Sequence, residues 1–127
     1  MDEAAVRAFA KRFFDAIEKG DIETVRDCYT PDIGVWHNFD DKVQNRDENL
    51  ATLAGMVERI SDRTYADRRL DVFPGGFVQQ HVLWGTRKDG KRVSLPAAII
   101  CRMHDGKISR IDEYIDSAHV AVFRQTA

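Results

Sequence analysis

Several residue types and patterns are scarce in this sequence, and each shortage excludes a class of protein. There are only two cysteines, Cys28 and Cys101, and they lie far apart within apolar segments. Two separated cysteines do not make a disulfide framework, so we expect buried free thiols in a reducing compartment and a cytoplasmic protein. Apolar runs such as residues 97–101 are far too short to span a bilayer, so we expect no membrane partner.

The sequence also has no excess of basic residues over acidic ones. The 19 Lys and Arg residues stand against 21 Asp and Glu residues, which gives a formal net charge of −2. Phosphate binding needs a concentrated basic face, so we expect no nucleic-acid partner. No two of the four histidines stand two or four residues apart, and the chain has no CxxC, HExxH or Gly-rich phosphate loop. We therefore expect no metal site and no cofactor.

What the sequence does contain is typical of one globular domain, which we take as residues 1–127. Hydrophobic residues make up 43% of the chain and charged residues 31%. Apolar residues at helical spacing, such as Val6, Phe13 and Ile17, predict helices in the first half. The predicted order is a helix over residues 3–19, a helix from 22 that stops at Pro31, a strand over 33–39, a helix capped by Asn45, strands over 64–73, 77–86, 93–104 and 107–116, and a tail helix from Ser117 to Phe123.

This order predicts an α+β fold rather than an α/β fold, because the helices come first and the later strands follow one another directly. Three amphipathic helices in the N-terminal half must bury their apolar stripes on one face of the sheet. We expect a strongly curved, mostly antiparallel sheet that forms a cone with the helices packed on it. The interior of such a cone is a natural pocket for a hydrophobic small molecule.

Strand alternation selects polar residues that point towards this interior. In "FVQQHVLWG", Phe77, Gln79, His81 and Leu83 share one face, and the two polar ones need partners there. In "ISRIDEYID", a single carboxylate, Glu113, stands between two isoleucines on one face. An acidic group in apolar surroundings suits a general acid or base.

Each of these residues also has a structural interpretation. Glu113 could form an ion pair with Arg102 or Arg110, and His37 could be a hydrogen-bonded sheet residue. Tyr114 is expected to pack with a partner for its hydroxyl group.

The stretch "VWHNFD" divides in the same way, with Trp36 and Asn38 on one face and Val35, His37 and Phe39 on the other. We expect Trp36 and Asn38 to face the pocket. Trp36 would form a wall, and Asn38 would hold a substrate oxygen or a water, because its amide can donate and accept but cannot act as a base. His37 is expected to point away, and it becomes a candidate only if a bulge turns the strand.

The segments "FFDAIEKGDIETVRDCYTPD", "VWHNFD" and "DGKISRIDEYID", with the third helix between them, resemble the nuclear transport factor 2-like superfamily, and most closely its SnoaL-like branch. The resemblance covers about residues 6–123. It implies a cone-shaped α+β fold, a homodimer and a deep apolar pocket. The superfamily includes ketosteroid isomerase, limonene epoxide hydrolase, scytalone dehydratase, polyketide cyclases and non-catalytic members.

Compared with ketosteroid isomerase, this chain has Asn38, Phe13 and Ile100 where that family has its aspartate base, its oxyanion-hole tyrosine and its protonated aspartate. The resemblance therefore does not imply that isomerase mechanism. Compared with limonene epoxide hydrolase, Asn38 matches the water-binding asparagine and Glu113 matches a catalytic aspartate. Trp36 stands in place of a water-binding tyrosine. The central aspartate and the arginine of that family are missing, because Leu83 and His81 occupy their positions.

Together, these observations predict a cofactor-independent acid–base enzyme of the isomerase, cyclase, dehydratase or lyase type that acts on a hydrophobic small molecule. The predicted catalytic residues are Glu113, His81 and Asn38. Two alternatives stay open: a non-catalytic binding module and an epoxide hydrolase-like hydrolase. A third is a structural dimer whose interior is plugged by Trp36, Trp84 and Phe77. The predicted substrate-contacting residues are Trp36, His37, Phe13, Leu83, Gln79 and Tyr114.

Overall fold

A computed structural model describes residues 1–125, so the last two residues of the predicted domain lie outside it. The helices are α1 (Glu3–Lys19), α2 (Ile22–Cys28), α3 (Arg46–Arg59) and α4 (Ser117–Arg124). The strands are β1 (Tyr29–His37), β2 (Lys42–Gln44), β3 (Ile60–Phe73), β4 (Gly76–Arg87), β5 (Arg92–His104) and β6 (Lys107–Ile115). None of the helices within residues 1–125 is long and apolar enough to cross a membrane.

The helix ends follow the capping signals in the sequence. Helix α1 ends at Gly20, whose φ of 78° is the left-handed conformation that glycine adopts most readily. Before α3, the Asn45 side chain accepts from the Glu48 amide, and the Glu48 side chain accepts from the Asn45 amide. The predicted capping box is therefore confirmed. Helix α2 ends three residues earlier than predicted, because Pro31 lies within the extended backbone of β1.

The six strands form one mixed sheet in the order β2-β1-β6-β5-β4-β3. Strand β1 runs parallel to β6, and all the other neighbouring strands are antiparallel. The α+β class and the mostly antiparallel sheet are confirmed. Some strand bounds differ from the prediction, since β1 runs from Tyr29 to His37 and β3 begins at Ile60, and the short strand β2 adds an edge to the sheet. The pairing of β1 with β6 matters most for the site, because it places the first strand of the sequence directly beside the last one.

The sheet curls strongly, and β3 shows how. Its pairing with β4 shifts register twice, between Ser61 and Thr64 and again between Ala66 and Arg69. Asp62 and Asp67 lie in these two irregularities and have positive φ angles of 48° and 56°. Bulges of this kind bend a strand and increase its twist. The curled, open sheet that results leaves a concave face, on which α1 and α3 pack.

Aromatic side chains fill the interior between α1 and the sheet. The Phe14 ring is fully buried and touches Phe13 and Phe77, with ring centroids 5.0 and 6.4 Å away. Of the three residues expected to plug the cone, Phe77 does lie in this cluster. The two tryptophans do not, because Trp84 is 38% exposed and Trp36 lies on the outer face of the sheet. Phenylalanine side chains from α1 and β4 therefore fill this part of the interior, and one end of the interior stays open.

Candidate functional site

A cavity of about 90 Å³ lies in the open end of the curled sheet, where α3 and α4 cover it. Its volume exceeds the 10–15 Å³ or so that one water needs, but it is smaller than a usual ligand pocket of about 300–1,000 Å³. A small molecule, or the end of a larger one, is therefore the ligand size that fits. The apolar walls include Leu53, Met56, Leu83, Leu95, Val120 and Phe123.

His37 and Glu113 form a polar pair in this apolar lining. The two residues are direct partners in the parallel pairing of β1 with β6, so their side chains emerge next to each other on the concave face. The His37 Nε2 atom lies 2.9 Å from Glu113 Oε1, and the two side chains are 11% and 18% exposed. At this distance the two groups can interact directly, as an ion pair when the imidazole is protonated.

Tyr65, on β3, borders the same cavity. Burial raises the pKa of its hydroxyl group, and the negative charge of Glu113 raises that pKa further. No hydrogen bond to the Tyr65 hydroxyl is present among residues 1–125. Because the hydroxyl stays protonated at neutral pH, it is a neutral donor available to a molecule in the cavity.

His81 lies behind Tyr65 and does not line the cavity. Its ring makes edge contacts with Tyr65 and Phe14, at centroid distances of 4.5 and 5.5 Å. Its Nδ1 atom lies 2.9 Å from the side-chain nitrogen of Gln79. Burial lowers the pKa of His81 from 6.5 to about 4, although the nearby charge of Glu113 opposes the shift. His81 is therefore a neutral core histidine at physiological pH.

This lowered pKa predicts an acid-sensitive fold. The unfolded chain binds a proton at His81 below pH 6.5, whereas the folded protein does so only near pH 4. The free energy of unfolding should therefore fall as the pH drops through this window, by about 2 kcal/mol at pH 5 relative to pH 8. Urea unfolding of wild type and His81→Gln from pH 8 to 4.5 measures it. In His81→Gln, the free energy of unfolding should depend less on pH over this range. His104→Gln, a control at an exposed histidine, should keep the pH dependence of wild type. An unchanged pH dependence in His81→Gln would contradict the assignment.

The sequence profile of the SnoaL-like domain family matches residues 10–111. The chain belongs to the SnoaL-like domain family. No curated protein matches the chain.

Solved structures share the fold of this SnoaL-like domain. A proposed polyketide cyclase from Xanthomonas campestris pv. campestris is 14% identical, with 94% of this chain and 96% of that one covered and a TM-score of 0.83. An NTF2-like protein from Burkholderia pseudomallei K96243 is 15% identical, with 97% and 98% covered and a TM-score of 0.81. An LEH-like epoxide hydrolase from M. tuberculosis is 16% identical, with 94% and 87% covered and a TM-score of 0.77. At these identities the likeness shows the cone-shaped fold alone.

The orientation predicted for "VWHNFD" in this SnoaL-like domain is wrong. His37 is buried and lines the cavity, and Ile33 and Val35 are buried at alternate positions of the same strand. Trp36 points to the outer face, where its Nε1 donates to Asp41 Oδ1 at 2.8 Å and its ring packs edge-on against Tyr114. The apolar residues at positions 33 and 35 share the alternation of His37, and this signal could have identified the buried face.

Asn38 does not face the cavity either. Its side-chain nitrogen donates to the Ile115 carbonyl oxygen at 3.0 Å, and its side-chain oxygen accepts from the Ile115 amide at 2.8 Å. The amide therefore extends the pairing of β1 with β6 by one more residue. Both of its polar atoms are used in this contact, so the predicted role in holding a substrate oxygen or a water is not supported by its position.

The other predicted contact residues are divided among three places. Leu83 lines the cavity, whereas Phe13 and Gln79 are buried in the core away from it. Tyr114 is 48% exposed on the outer face, where its ring lies 5.1 Å from that of Trp36.

The alternative of an ion pair between Glu113 and an arginine is wrong. Arg110 bonds to Asp112 on the outer face, and Arg102 lies over the Phe73 ring. The partner of Glu113 is His37 instead.

Three ionisable residues of the cavity lining were absent from the sequence prediction: Tyr65, Arg59 and Arg124. Tyr65 lies between the two bulges of β3, so simple alternation does not show which face it takes. The two arginines lie in the last turns of α3 and α4, where a basic residue is common and carries no signal of its own. Across residues 1–125, no group of three or more His, Cys, Asp or Glu side chains could hold a metal ion.

Proposed function

We propose that this protein is a cofactor-independent acid–base enzyme that moves a proton on a small, largely apolar molecule bound in the cavity. The reaction would be of the isomerase, cyclase, dehydratase or lyase type. The observation that carries the proposal is the 2.9 Å contact between His37 Nε2 and Glu113 Oε1 inside a mostly apolar lining. Acid–base catalysis needs a carboxylate that is held in place yet accessible, and this pair supplies it.

Glu113 is the proposed base. One of its oxygens lies 2.9 Å from His37 Nε2, and the other has no hydrogen-bond partner among residues 1–125. That second oxygen can take a proton from a carbon next to a carbonyl group. The C–H bond breaks, an O–H bond forms on Glu113, and the electron pair moves to the substrate oxygen. Return of the proton to a different carbon gives isomerisation, and loss of a β-hydroxyl group gives dehydration.

Tyr65 is the proposed donor to the oxygen on which this charge develops. A neutral hydroxyl group in a cavity of low polarity stabilises an enolate more than it stabilises the starting carbonyl. The raised pKa of Tyr65 keeps its proton in place at neutral pH. His37 is the proposed positioning residue, since its N–H fixes one oxygen of Glu113 and leaves the other free to react.

A non-catalytic binding module is the second candidate. The cavity volume of about 90 Å³ favours it, because few of the larger substrates of acid–base enzymes would enter completely. Such a module needs a cavity but has no use for a carboxylate with an open oxygen. Turnover therefore separates the two candidates.

Deuterium exchange into simple carbonyl compounds tests the proposal. The protein is incubated in D₂O with small ketones, 1,3-diketones and β-hydroxy ketones of four to six carbons, and loss of the α-proton signal is followed by NMR. Wild type should accelerate exchange of at least one class, and Tyr65→Phe should lower that rate about 100-fold. The matched control Tyr114→Phe, on the outer face, should leave it unchanged. Exchange at the buffer rate for every compound would support the binding module instead.

A further inference from the structure

Two arginines stand at the mouth of the cavity. Arg59 lies in the last turn of α3 and Arg124 in the last turn of α4, and both line the cavity. They also line a wider groove of about 430 Å³ that continues outwards from the mouth past Thr52 and Gly55. The two helices thus direct two positive charges to one opening.

Within residues 1–125, neither guanidinium group lies within 4 Å of a carboxylate. Arg124 packs over the Phe39 ring at 4.8 Å. Glu113 is the one carboxylate in the cavity lining, and it is bonded to His37. The mouth is therefore positively charged, although the protein as a whole carries a formal charge of −2.

We infer that the molecule bound here carries a carboxylate group, which lies between Arg59 and Arg124 while an apolar body of about four to six carbons enters the cavity. The inference rests on the proposed function for its choice of cavity. A carboxylate fits because a guanidinium group binds it through two parallel N–H bonds. Since the arginines lie at the mouth and Glu113 lies inside, the charged group would be held away from the reacting carbon.

The arrangement also orients the molecule. A carboxylate held at the mouth points the opposite end of the carbon chain towards Glu113 and Tyr65, because the walls between them are apolar. Holding the molecule in one orientation lowers the entropic cost of reaching the reactive geometry. The arginines therefore act on binding and orientation, not on the proton transfer itself.

A matched pair of probes tests the inference by binding alone. Isothermal titration compares 3-methylbutanoate with 3-methylbutanamide, which has the same shape and no charge. The carboxylate should bind at least tenfold more tightly, and Arg59→Gln and Arg124→Gln should each weaken it about fivefold without changing amide binding. Arg102→Gln is the matched control, since Arg102 also packs over a phenylalanine ring but lies elsewhere on the protein. Equal affinity for the two probes, no carboxylate binding, or an equal loss in Arg102→Gln would overturn the inference.

Failure of this inference can be distinguished from failure of the proposed function. Glu113→Gln removes the proposed base and should still bind 3-methylbutanoate. Carboxylate preference without deuterium exchange would overturn the enzymatic proposal alone. Exchange of neutral ketones without carboxylate preference would overturn the arginine assignment alone.

Discussion

Glu113→Gln is expected to lower enzyme-catalysed deuterium exchange about 1,000-fold, within the range of about 10²–10⁴ that a positioned base contributes. The amide has nearly the shape of the carboxylate, so it can occupy the same place beside His37 Nε2. What it loses is the second oxygen as a proton acceptor at neutral pH. NMR exchange rates of the most responsive ketone measure the change.

Asp112→Asn is the matched control for this substitution. Asp112 is the preceding residue of β6, and its side chain bonds to Arg110 on the opposite face of the sheet. The same change from carboxylate to amide there should leave exchange within about twofold of wild type, since the side chain does not line the cavity. Residual exchange in Glu113→Gln above one tenth of wild type would show that another group removes the proton.

The effect is expected to be large because the charge of Glu113 acts on an entire set of buried groups. It raises the pKa of Tyr65, Tyr29 and Cys101 after the larger effect of burial on each. It also opposes the lowering of the His81 pKa. The Glu113 side chain is 18% exposed and lies beside His37. We interpret the retention of such a charge as a requirement of function.

Much of the fold could be predicted from the sequence because its signals are local. Asp21 and the pair Asn45 with Glu48 cap helices by contacts within one turn. Alternation in β4 correctly grouped Phe77, Gln79, His81 and Leu83 on one buried face, because its long pairing with β5 has no register shift. In β6 it also placed Glu113 beside Ile111 and Ile115.

The rest of the site depends on contacts between distant segments. Alternation divides β1 into two faces, and His37 and Trp36 were assigned to the wrong sides although Ile33 and Val35 mark the face of His37 as the buried one. The bulges of β3 decide where Tyr65 points. Arg59 and Arg124 are separated in sequence by four strands, β3 to β6, and come together only when α3 and α4 close the same opening. No local sequence pattern shows that these two arginines meet at one opening.

Phe14 links the stability of the core to the geometry of the site. It lies in α1 with none of its surface exposed, and its ring contacts Phe13, Phe77, Tyr65 and His81. Tyr65 borders the cavity on its other side, so Phe14 supports the proposed donor from behind. A void at this position would allow the Tyr65 ring to retreat from the cavity.

Phe14→Ala is therefore expected to lower the free energy of unfolding by about 3–5 kcal/mol, since a fully buried ring leaves a void that the packed neighbours fill only partly. Urea unfolding at pH 8, where His81 is neutral in both the folded and the unfolded states, measures the loss. Phe9→Ala is the matched control on the same helix; its ring is only partly buried, and its loss should be about 1–2 kcal/mol. In the folded fraction, exchange should fall in Phe14→Ala but not in Phe9→Ala, because only the first removes the support of Tyr65. Equal losses of stability in the two variants would show that the aromatic cluster around Phe14 does not stabilise the core more than the partly buried Phe9 does.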